Sequence, residues 1–140
     1  MIKQLLSSEV YAIISQRVNQ KDLHEIRIRI GCPIVLNVQG VKVCLKDQSG
    51  KLIIARREDI ERVINAASRH SLYTVEKQLK QAFITAENGY RIGLSGEVVG
   101  EVYGGLRSLK NIYSVNIRIP HLIQNCSASI FGFLKEKGEV

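Results

Sequence analysis

Two stretches of strict alternation constrain this chain more than anything else in it. In Glu25–Ile30, Ile26, Ile28 and Ile30 alternate with Glu25, Arg27 and Arg29. In Ile112–Ile119, Tyr113, Val115, Ile117 and Ile119 alternate with Ser114, Asn116 and Arg118. A period of two sends successive side chains to opposite faces of an extended strand, so each stretch reads as a strand with one apolar and one polar face. A sheet built from such strands must cover its isoleucine face with helices, while its arginine face can stand open to water.

The remaining segments supply the cover. Ile2, Leu5, Leu6, Val10, Tyr11, Ile13, Ile14 and Val18 follow a helical period, and Ser7-Ser8 splits this lead segment of residues 1–20 into a turn and a main helix. After the turn Gly31-Cys32-Pro33, two further alternating runs are separated by Gln39-Gly40, and Leu52–Ala55 reads as a fourth short strand of an antiparallel meander. Ile60, Val63, Ile64 and Ala67 predict a helix over Glu58–Ser68, with acidic residues in its first turn as the helix dipole prefers. Ser71 can cap a second helix carrying Leu72, Val75 and Leu79. Ala82–Thr85 and Tyr90–Val99 then read as a hairpin around Asn88-Gly89. Leu122, Ile123, Cys126, Ile130, Phe131 and Leu134 follow Pro120 as a closing helix. The order is helix, strands, two helices, strands, helix. The fold class is α+β, with antiparallel or mixed sheet and packed helices; one sheet or two is left open.

At 140 residues and 45% hydrophobic composition the chain suits a single domain with a real core. Three cysteines without a C-x-x-C pair, and three histidines without a ligand partner at helical spacing, give no basis for a metal site. No apolar run approaches the ~18 residues of a membrane span. G-x-x-x-x-G-K-[ST] is absent, and Gly93-Leu94-Ser95-Gly96 has the wrong spacing for a nucleophile elbow. The glycines of the second half are assigned to turns, bulges or close backbone approach. No catalytic, cofactor-binding or metal-binding residue is assigned. The net charge of +7 fits nucleic acid, an anionic membrane surface or an acidic protein. The candidate contact surface is Arg27, Arg29, Arg91, Asn116 and Arg118, which form one basic patch if their strands are neighbours. A small nucleic-acid-binding module is the alternative, weakened because no aromatic residue is evident between the arginines and Tyr113 alternates with the apolar face.

Three segments in order, EIRIRIGCP at Glu25–Pro33, SRHSLYTVEKQLKQAFITAENGYRIGLSG at Ser68–Gly96 and SVNIRIP at Ser114–Pro120, resemble the amino-terminal region of the stage III sporulation protein AA family. That family resembles the ring-forming ATPases of type II secretion and type IV pilus systems. The resemblance implies a single non-catalytic amino-terminal domain over residues 1–140, with 135–140 (KEKGEV) starting a linker. ATP and magnesium are then expected only in an ATPase domain past residue 140. The implied partners are other subunits of a ring-like oligomer and membrane-embedded components of a sporulation channel. The implied location is the mother-cell cytoplasm, peripherally at the cytoplasmic face of the membrane.

Overall fold

A computed structural model of the chain describes residues 1–69, 83–86, 88–99 and 108–121. Their strands form one six-stranded sheet in the order β3-β2-β1-β6-β5-β4, antiparallel throughout. The strands are β1 (Leu23–Arg29), β2 (Val35–Val38), β3 (Val41–Cys44), β4 (Phe83–Thr85), β5 (Arg91–Val99) and β6 (Ser108–Arg118). Helices α1 (Ile2–Leu5), α2 (Ser8–Arg17) and α3 (Arg57–Arg69) complete the described elements. The fold is α+β, and its strands make one sheet rather than two. The expected helix after Ser71 and the closing helix after Leu122 lie outside the described residues, as do the 135–140 segment, His70, Glu101 and Cys126.

Local chemistry explains the element boundaries. Ser7 caps α2, its hydroxyl accepting from the Val10 N–H at 3.2 Å. The β2–β3 hairpin turns at Gln39 (φ 52°) and Gly40 (φ 87°). Two consecutive positive φ values define the turn type whose twist matches that of the paired strands. Gly89, at φ 83°, turns the chain into β5 with Pro120 packed 3.3 Å from where a Cβ would sit.

The core lies between the helices and one face of the sheet. Ile26, Ile28, Leu36, Ile84, Ile92, Leu94, Val115 and Ile117 are buried from the sheet, against Leu5, Val10, Ile14, Ile60, Val63 and Ala67 from the helices. Leu23 joins them although it breaks the alternation. A bulge between Leu23 and Glu25 shifts the register by one residue and turns Leu23 inward.

Three expectations change. Leu52–Ala55 is not a regular strand: it makes isolated bridges, Pro33 to Ile54 and Lys46 to Leu52. Its backbone closes a ring in which Ile34 N donates to Ile53 O, Ile53 N to Leu45 O and Leu45 N to Ile34 O. One short segment thus bonds on one side to the residues just before β2 and on the other to those just after β3, and makes no ladder with either. Tyr113, read as apolar-face, is 42% exposed; it lies just past the end of β1, where Ile30 N donates to the Tyr113 carbonyl. Gly93 is not forced by packing, since an added Cβ would meet only the Asn116 Cβ, at 3.9 Å.

Arg17 at the end of α2 ties the helices to the loop after β3, donating to the Lys46 carbonyl at 2.8 Å and the Asp47 carbonyl at 3.0 Å. The Asp47 carboxylate organises that loop by accepting from Ser49 Oγ (2.6 Å), Ser49 N (2.8 Å) and Lys51 N (3.0 Å). The Ser49 hydroxyl, and then the Lys51 N–H, hold the Asp47 carboxyl below its usual range.

Two outcomes follow. Ile117→Ala, in the sheet centre, is expected to cost about 2–5 kcal/mol in urea unfolding, through lost burial and the residual cavity. For Asp47, a depressed folded-state pKa gives stability that is present above the unfolded carboxyl's pKa and lost as the pH falls through the folded value. Asp47→Asn should therefore flatten the acid limb of the urea-midpoint curve below about pH 4, and an unchanged limb would remove Asp47 from its cause.

Candidate functional site: the open face of the sheet

The face opposite the core is built by cross-strand register. One row across the sheet reads Lys42, Asn37, Glu25, Arg118, Arg91, Thr85. The next reads Cys44, Val35, Arg27, Asn116, Gly93, Phe83. A third, shorter row reads Arg29, Ser114, Ser95. The five residues named from the sequence, Arg27, Arg29, Arg91, Asn116 and Arg118, therefore share one face on three adjacent strands. The four arginines are exposed and Asn116 is half-buried. The side chains between them, at Gly93, Ser95, Ser114 and Asn116, are small, so the guanidinium groups stand above a low floor.

Each arginine has a different setting. Arg27 donates from Nε to Glu25 Oε2 at 3.0 Å, an ion pair with side chains 49% and 13% exposed. Arg29 lies over the Tyr113 ring at 5.5 Å, and Arg91 over the Phe83 ring at 5.7 Å. Arg118 stands between Glu25 and Arg91 in its row. Glu25 is engaged by Arg27, so Arg118 and Arg91 face each other as a like-charged cross-strand pair. Like charges directly opposite destabilise a sheet.

Sequence reasoning missed Phe83. Nothing in a three-residue strand shows which face a residue takes, and the Phe83–Gly93 pairing supplies that. It also missed that His24 and His121 meet, with ring centroids 4.8 Å apart and His121 Nε2 at 2.7 Å from the Leu23 carbonyl oxygen. The pairing of β1 with β6 brings these ends of the chain together. Glu97 has a structural role: Oε2 accepts from Asn111 Nδ2 at 3.1 Å, where Asn111 takes a positive φ of 51°.

Nothing in these contacts forms a nucleophile–base pair. A hollow of about 420 Å³ between α2 and the loop after β3 is lined by Glu9, Ala12, Ile13, Gln16, Asp47, Gln48 and Ser49; the Ser49 hydroxyl there donates to an Asp47 carboxylate oxygen that the Ser49 and Lys51 backbone N–H groups also engage, which is a loop-forming arrangement. Among the described residues no group of three or more His, Cys, Asp or Glu side chains is placed to hold a metal ion. No helix among them is long and apolar enough to cross a membrane.

The family model for sporulation stage III, protein AA, matches residues 1–140. The chain belongs to that family. A relative, stage III sporulation protein AA of Bacillus subtilis (strain 168), is 33% identical over 120 residues, which is 84% of this chain and 37% of the relative. The family member described here thus spans little more than a third of that relative's length.

The like-charged pair has a measurable consequence. Arg91→Thr removes one of two adjacent cations and introduces a good strand former. It is expected to leave stability unchanged or to raise it by up to ~1 kcal/mol in urea unfolding. A loss of more than about 1 kcal/mol would show that Arg91 serves the fold rather than the surface.

Proposed function

We propose that this chain is a non-catalytic assembly domain of a sporulation ATPase of the secretion-motor kind. The open sheet face is its contact surface. The observation that carries this reading is the gathering of four arginines on one solvent-facing side, three of them without an ion pair among the described residues. Retaining such a cluster on a sheet favours contact over stability. In this reading ATP and magnesium belong to a part of the protein outside residues 1–140. The domain positions that part within a ring, against neighbouring subunits and membrane-embedded channel components at the cytoplasmic face of the mother-cell membrane, and the ring energises a channel to the forespore.

A second reading, a nucleic-acid-binding module, draws on the +7 charge and on Phe83 beside the arginines.

Charge reversal at Arg27, Arg29 and Arg118 in the full-length protein is expected to weaken assembly in sedimentation velocity while leaving the thermal midpoint of this domain within a few degrees. Unchanged assembly would remove the open face from the account. Appreciable ATP turnover by residues 1–140 alone would contradict the non-catalytic reading.

A further inference from the structure

We infer that the open face receives a second copy of this chain, with Glu58 and Glu61 of that copy's α3 set against Arg91 and Arg118. This rests on the reading of the chain as an assembly domain and names the surface it assembles with.

The receiving side is the Arg91–Arg118 cross-strand pair. Directly opposed residues hold their Cβ atoms about 5 Å apart, so two cationic side chains rise from adjacent positions, with the Arg91 guanidinium leaning over Phe83. The nearest carboxylate in their row, Glu25, is engaged by Arg27 at 3.0 Å. No other carboxylate among the described residues pairs with either arginine. Two adjacent oxyanion groups from outside complete this arrangement.

The helix layer, on the other side of the core, presents such a pair. Glu58 and Glu61 are both exposed and lie three residues apart on α3. That spacing puts their Cβ atoms about 5–6 Å apart on one helix face, matching the arginine pair. With Gln4, Asn65 and Ala66 they line a shallow hollow of about 350 Å³, also bordered by Arg62 and Arg69. Arg62 is occupied by Asp59 at 3.3 Å. Glu61 has no ion pair among the described residues. Glu58 touches Arg56 at 3.9 Å with both side chains largely exposed, a contact weak enough to exchange.

The two surfaces lie on opposite layers of the fold, so the contact is head-to-tail. Such a contact repeats from copy to copy and closes into a ring when the rotation allows. A nucleic acid fits the face less well. The rings of Phe83 and Tyr113 already carry guanidinium groups of their own chain, and Glu25 interrupts the track of cations.

The test uses two variants of the full-length protein, Arg91→Glu/Arg118→Glu and Glu58→Arg/Glu61→Arg, studied by sedimentation velocity. All four positions are exposed, so both variants are expected to keep the wild-type circular dichroism spectrum. Each alone should assemble at least roughly tenfold more weakly than wild type. A one-to-one mixture should regain wild-type assembly, because every contact then joins opposite charges. If the arginine variant is weakened but the glutamate variant assembles normally, or the mixture stays dissociated, α3 is not the partner surface while the open face still is. If the arginine variant assembles normally, the open-face reading fails as well. Salt-sensitive binding of a thymidine oligonucleotide that is lost in the arginine variant, with the glutamate variant assembling normally, would replace the second copy with a nucleic acid.

Discussion

The pairing of β1 with β6 holds this structure together. Glu25 to Arg29 run antiparallel to Arg118 to Ser114 in the middle of the sheet. On one side β1 carries the meander β1–β2–β3, and on the other β6 carries β5 and β4. Each half alone is a three-stranded sheet with an exposed hydrophobic edge. Joined, they make one apolar surface wide enough for α1, α2 and α3. The two strands come from opposite ends of the described chain, so their pairing costs a large loop closure before any contact offsets it. The buried ladder of Ile26, Ile28, Val115 and Ile117 supplies the offset.

The same pairing creates the candidate site. Arg27 and Arg29 belong to β1, Asn116 and Arg118 to β6, and Arg91 to β5. None of these strands alone carries a cluster. Because strict alternation fixes the isoleucines inward, register leaves the arginines no other face. Local contacts support three of them: Glu25 neutralises Arg27, Tyr113 supports Arg29 and Phe83 supports Arg91. Arg118 and Arg91 remain opposed, a small electrostatic cost that the core readily tolerates.

The site was legible where it depended on period and illegible where it depended on register. Period two marked Arg27, Arg29, Arg118 and Asn116 as outward residues, and the structure sets them, with Arg91, on one face. Phe83 could not be assigned a face because its strand is three residues long. Tyr113 followed the right parity, yet it lies past the end of its neighbour β1 and is exposed. The irregular path of 52–55 escaped notice because its residues alternate like a strand while their hydrogen bonds go to two partners.

By itself the sequence determined the two-faced strands, the capped helices and the α+β class, because alternation, helical period, Ser7 and Gln39-Gly40 act through neighbours a few residues away. Tertiary structure alone decided that there is one sheet, that β6 inserts between β1 and β5, that Leu23 turns inward at a bulge, and that Arg91 faces Arg118. These are matters of which strand pairs with which and in what register. They are set by the shared burial of distant apolar residues, which no local pattern encodes.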